Sequence, residues 1–177
     1  MEPDRRDVLS NLSAWVKDVF GVTPKDISLY ERALTHGSHG SETYERLEFL
    51  GDRVLGLVVA HWIYGRFPHD AEGQLSQRFN SLVSGETCAE VGRTINLSSR
   101  MRLGKQALDD GAYDSDNVLG DVVEALIGAV YLEHGLEAAA AFIRSQWEPL
   151  LNVQRSAPRH PKSELQEWAA AHNRRTP

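Results

Sequence analysis

The chain has 177 residues, 41% of them hydrophobic, and a net charge of −6; this suits one globular domain of about 150 residues with something appended, and at face value opposes binding to nucleic acid. No apolar run reaches the roughly 18–20 residues of a membrane-spanning helix, and the opening MEPDRRDV lacks the apolar stretch of a signal peptide. The one cysteine, Cys88, excludes an internal disulfide and a cysteine-rich metal site, and reads as a small buried hydrophobe in a cytoplasmic protein.

In chain order, residues 4–20 have the period of an amphipathic helix, with Val8, Leu12, Trp15, Val16 and Val19 inward and Gly21 as its stop. A short helix over 26–35 leads into the loop THGSHGSET. His36 and His39 in that loop lack a third ligand at metal spacing, so capping or hydrogen bonding is the better reading for both. A longer helix is expected from about 43 to Tyr64, then helices over 72–84 (Leu75, Phe79, Leu82 and Val83 inward) and 86–95 (Cys88, Val91 and Ile95 inward). Residues 98–115 have poor periodicity and read as a long connection. A last helix spans 117–135, and since no β-alternation occurs in the first 150 residues the body is expected to be all-α. Residues 153–177 carry a net +3, leaving −9 of the total −6 to residues 1–152, a division into an acidic body and a basic tail.

Two of these helices concentrate acid. In ERLEFLGD (45–52), Glu45, Glu48 and Asp52 fall within about 60° of one another on a helix, opposite Leu47, Leu50, Val54, Leu57 and Val58. In NVLGDVVEALIGAVYLEHG (117–135), Asp121 and Glu124 share a face with Asn117 and Gly128, and Leu119, Val123, Leu126 and Val130 lie opposite. Gly120, Ala125, Gly128 and Ala129 are small enough for another helix to approach closely. Packing the two acidic faces together puts four carboxylates in one pocket, and like charges that close need compensation. Hard divalent cations provide it, and an all-oxygen site suits Mg²⁺ or Mn²⁺.

ERLEFLGD with the following VLG, the THGSH loop, EGQLS…LVS, MRLG and NVLGDVVEALIGAVYLEHG together resemble the ribonuclease III family in order and spacing, from about Leu34 to Leu150. The tail HPKSELQEWAAAHNRRTP is similar to the opening of that family's double-stranded-RNA-binding domain, without the strands that should follow, so a truncated α/β fragment is expected at 153–177 after an all-α endonuclease domain at 1–152. The resemblance implies a homodimeric endonuclease specific for double-stranded RNA, acting in rRNA and mRNA processing and leaving 5′-phosphate and 3′-hydroxyl ends. Glu48, Asp121 and Glu124 match the family's metal ligands, Asp52 and Glu124 its catalytic acids, and Glu45 a more peripheral acid. Arg53 and Gly120 stand where serine and alanine are commoner. Phe49 lies off the apolar stripe, as a second-layer core residue or an interface anchor, and because its counterpart in the family inserts into the partner subunit the resemblance implies the interface.

Arg78, Arg100, Arg102 and Lys105 are the basic candidates in the body for contact with RNA. Two other readings use acidic helices: a non-catalytic RNA-binding relative, which the intact set of four acids opposes, and an all-α, Mg²⁺-dependent nucleotide pyrophosphohydrolase. Long duplex RNA set against nucleoside triphosphates as substrate separates the second.

Overall fold

Seven helices and two 3-10 turns follow one another in a computed structural model that describes residues 5–153. They are α1 (Arg5–Phe20), α2 (Ile27–Ala33), α3 (Glu45–Arg66), α4 (Glu72–Leu82), α5 (Gly85–Thr94), α6 (Lys105–Asp109) and α7 (Asp116–Val153), with the turns at Leu97–Ser99 and Ala112–Asp114. Among the described residues there is no strand, only an isolated parallel bridge between Thr35 and Arg102. The body is all-α, as its periodicity predicts. From residue 154 on, the expected RNA-binding-domain fragment falls outside the described residues.

The core is built on α7, which packs against α3 on one side and α5 on another. Leu119, Val123, Leu126 and Val130 are fully buried as expected, but so are Val122 and Ile127, so the stretch 119–130 is enclosed nearly all round. Each such side chain removed from water contributes about 1.5–3 kcal/mol. By length and composition α7 passes for a membrane-crossing helix, but half of its most apolar stretch is buried inside the fold, as a core helix requires. Gly135, at φ 82° and ψ −179°, breaks it in two, in a backbone region that residues with a Cβ avoid. Trp147, beyond the break, donates its indole N–H to the Leu82 carbonyl (2.8 Å) and so ties the second half of α7 to α4.

Three expectations need correction. Leu57 is 60% exposed rather than inward, because α3 buries Leu47, Gly51, Val54, Leu55, Val58 and Val59, a stripe that Leu57 misses; Leu50 is half-buried. The segment 98–115 is not a structureless connection: it holds α6 and a 3-10 turn, and Arg102 exchanges backbone hydrogen bonds with Leu34 (2.8 Å) and His36 (3.0 Å). Arg78 is a core residue, 3% exposed, with its Nε 2.7 Å from Asp70 and its guanidinium 3.8 Å from the Phe67 ring.

The loop before α3 is held at both ends. Glu133 of α7 accepts from the backbone N–H groups of Lys25 (2.8 Å) and Asp26 (2.6 Å) and from the Tyr30 hydroxyl (2.9 Å), which fastens α2 to α7. Ser38 Oγ accepts from Gly104 N (2.9 Å), and Tyr44 N donates to the Thr35 carbonyl (3.0 Å). The 101–104 segment is therefore the platform on which the THGSH loop rests, and the loop delivers Tyr44 as the N-cap of α3.

Candidate active site at the crossing of α3 and α7

Two glycines decide how close the acidic helices come. A Cβ on Gly51 of α3 would lie 1.7 Å from the Glu124 carbonyl oxygen, and one on Gly128 of α7 would lie 2.4 Å from that of Leu47. The backbones touch with no side chain between them, so the acidic residues within two turns of the contact are brought together. Those residues are Glu48 on α3 and Asp121 and Glu124 on α7. The sequence reading named Gly128 as a point of approach and missed Gly51. Gly120, also named, lets in a different helix: its Cβ would lie 3.1 Å from the Gly85 carbonyl oxygen at the start of α5.

The electrostatics follow from this packing. Burial raises Glu48 above the usual carboxylate range, the charges of Asp121 and Glu45 push it further, and Arg53 opposes them. Burial also raises Asp121, against the Tyr44 hydrogen bond and the charge of His36. Glu124 is pushed up to about 7 by burial first and then by Glu48 and Asp121, with Cys88 and Arg53 acting the other way. Two donors face these acids. Tyr44 Oη donates to Asp121 Oδ2 (3.1 Å) and Cys88 Sγ to Glu124 Oε1 (3.8 Å). Burial and the neighbouring carboxylates raise both the phenol and the thiol, so each keeps its proton at neutral pH.

Among the described residues no three His, Cys, Asp or Glu side chains form a ready-made metal cage. The three carboxylates are half-buried and feel one another's charge without converging on one point. As donors they suit a hard divalent cation: all are oxygen ligands, and Glu48 and Glu124 bear like-charge repulsion that a cation would relieve.

The sequence profile of the ribonuclease-III-like family matches residues 26–150. The chain belongs to the ribonuclease III family. It is 61% identical over 164 residues to a ribonuclease 3 of Zymomonas mobilis, which covers 93% of this chain and 67% of that one. Among solved structures it is similar to the nuclease domain of ribonuclease III from Campylobacter jejuni, at 35% identity and a TM-score of 0.74 over 76% of this chain and 95% of that one. It is also similar to Dicer from Pichia stipitis, at 29% identity and a TM-score of 0.61, over 83% of this chain and 67% of that one. The chain spans about two thirds of the length of the curated relatives it matches.

In this ribonuclease III fold the other residues singled out from sequence separate. Glu45 is exposed at the first turn of α3, and its charge reaches Glu48. Asp52 lies at the rim, its side chain 36% exposed and ion-paired with Arg53. Arg53 also stands 5.3 Å from the ring of Phe49, which is 63% exposed. His36 is a hydrogen-bonding residue, as expected, with Nδ1 2.8 Å from Ser38 Oγ and accepting from Ser38 N (3.1 Å). Arg102 pairs with Glu31 and Arg100 donates to Asn11 (2.7 Å), while Lys105 is exposed at the start of α6.

Sequence reasoning missed Tyr44 and Cys88. Tyr44 had a signal, since it precedes Glu48 by four residues and shares its helical face. Cys88 had none: it lies on a third helix, and nothing local ties it to an acid in α7.

Proposed function

We propose that residues 1–152 form the nuclease unit of an endoribonuclease that hydrolyses phosphodiester bonds in double-stranded RNA, with residues 153–177 opening its RNA-binding domain. The carrying observation is the glycine-mediated crossing that gathers Glu48, Asp121 and Glu124 and lifts Glu124 to about 7. Glu48, Asp121 and Glu124 would hold Mg²⁺, with Mn²⁺ as a substitute, and the ion would supply activation of a water and neutralisation of charge on the phosphate and leaving oxygen. Asp52, at the solvent edge of the same helix, orients the attacking water by accepting a hydrogen bond from it. Asp121 and Glu124 are half-buried, and that partial desolvation strengthens the charge interactions they make. The products are 5′-phosphate and 3′-hydroxyl ends, and the setting is rRNA and mRNA processing in the cytoplasm.

The net negative charge is no obstacle, because a cation in the site reverses the local field. Arg46 and Arg53, both exposed on α3 beside the acids, add positive charge at the rim. The enzyme acts as a homodimer. The support is the exposed Phe49 and Leu132, which with Leu50 help to line an open groove of about 810 Å³. The Campylobacter jejuni nuclease domain is described as flexible in a region involved in dimer formation, which fits this assignment. A two-fold dimer would present two sites to the approximate dyad of a duplex.

The test is cleavage of a long RNA duplex with Mg²⁺, with product ends mapped, for the native chain and Glu124→Gln. The native chain is expected to cut and the variant, still folded, to have lost cutting; near-native cleavage by folded Glu124→Gln at saturating Mg²⁺ would sink the assignment.

A further inference from the structure

We infer that Tyr44 is a positioning residue for the metal site: it holds Asp121 in one orientation, with Oδ2 engaged by the phenol and Oδ1 left free to ligate. The inference rests on the proposed role of Asp121 as a ligand. Three observations carry it. The Tyr44 hydroxyl donates to Asp121 Oδ2 at 3.1 Å across 77 positions of sequence. The ring behind that hydroxyl is 5% exposed, so the donor cannot swing away into solvent. The backbone of Tyr44 is fixed independently: its N–H donates to the Thr35 carbonyl (3.0 Å), and its carbonyl accepts from Leu47 N (2.8 Å) and Glu48 N (2.9 Å).

Those bonds make Tyr44 a rigid strut. The residue that caps the helix bearing Glu48 also reaches the helix bearing Asp121, so one side chain sets the relative placement of two proposed ligands. A carboxylate left to rotate presents either oxygen, and a cation must then order it on binding. Hydrogen bonds to ligating carboxylates remove that cost, and losing such a partner typically weakens metal binding or activity about 10–100-fold. The sulfur donor on Glu124 is longer and weaker, so Cys88 holds its acid less firmly.

The experiment is Mn²⁺ binding to the full 177-residue chain, followed by electron paramagnetic resonance, for the native protein, Tyr44→Phe, Asp121→Asn and the double variant. Phenylalanine keeps the buried ring and every backbone bond of Tyr44, and thermal melts confirm that each variant is folded. Tyr44→Phe is expected to bind Mn²⁺ about tenfold more weakly, with KM for duplex RNA unchanged and the Mn²⁺ concentration for half-maximal cleavage raised by the same factor. In the Asp121→Asn background the Tyr44→Phe change is expected to have no further effect, because the strut then has no carboxylate to orient. Native-like Mn²⁺ affinity in Tyr44→Phe overturns the inference, and so does an equal loss in both backgrounds, which would mark a packing role. If Asp121→Asn itself binds Mn²⁺ like the native chain, the ligand assignment has failed and the inference falls with it.

Discussion

The two faces of α3 break the same rule in opposite directions. Toward α7 the helix turns Glu48 into a part-buried pocket of carboxylates, where a core helix normally presents hydrocarbon. Toward solvent it exposes Phe49 (63%), Leu57 (60%) and Tyr64 (75%), where a surface helix normally presents charge. Each inversion costs stability in the isolated chain: desolvated carboxylates repel one another on one side, and apolar surface stays wet on the other. On the proposed function a cation would relieve the first and a second copy of the chain the second, and the variants below test each face separately.

The largest effect is expected on the inward face. Glu124→Gln keeps size and hydrogen bonding but removes the charge of a proposed ligand, and cleavage of duplex RNA at saturating Mg²⁺ should fall on the order of a thousandfold, about 4 kcal/mol of barrier. Circular dichroism should show the fold intact. Gly51→Ala attacks the geometry rather than the charge. Its methyl would overlap the Glu124 carbonyl at 1.7 Å, so α3 and α7 must separate. The expected loss is about 3 kcal/mol, or roughly 6–12 °C in melting temperature, together with most of the activity. An unchanged melt would mean that the crossing is not as tight as the structure has it.

Proton linkage probes the same face without chemistry. Glu124 is raised from 4.5 to about 7, so the metal-free folded state keeps a proton that the unfolded chain gives up between those values. The stability contributed by this group is fully present below pH 4.5 and is lost as pH rises through 7, on the order of 2 kcal/mol. Denaturant melts in a chelator at pH 5 and pH 8 should show that loss, Mg²⁺ at pH 8 should offset it, and Glu124→Gln should flatten it. A metal-free native chain that gains stability from this group toward pH 8 contradicts the assigned environment.

The outward face should respond in the opposite sense. Phe49→Ala removes an exposed ring, so the melting temperature of the monomer should hardly change, while self-association weakens about 10–100-fold in sedimentation. A chain that is monomeric at micromolar concentration refutes the dimer; a dimer indifferent to Phe49→Ala refutes only the part given to that ring. Loss of monomer stability without loss of dimer would mean that Phe49 belongs to the core.

Much of this could be read from residue order, because helical period and acid spacing are local properties. The all-α body, the helix carrying Glu45, Glu48 and Asp52, the pairing of Asp121 with Glu124 and the outward setting of Phe49 all follow from a rise and turn repeated along one helix. Where periodicity was weak the reading erred: 98–115 folds because Arg102 pairs with the loop before α3, a partner more than sixty residues away. Arg78 shows the same limit, since only the arrival of Asp70 and Phe67 turns an arginine into a core residue. What tertiary structure alone decided is the distance between the two acidic helices and the donors that face them. That distance is set by the absence of a Cβ at Gly51 and Gly128, and the donors by Tyr44 and Cys88 meeting acids 77 and 36 positions away. Contacts across such separations depend on how whole helices pack, and no local pattern in the chain encodes them.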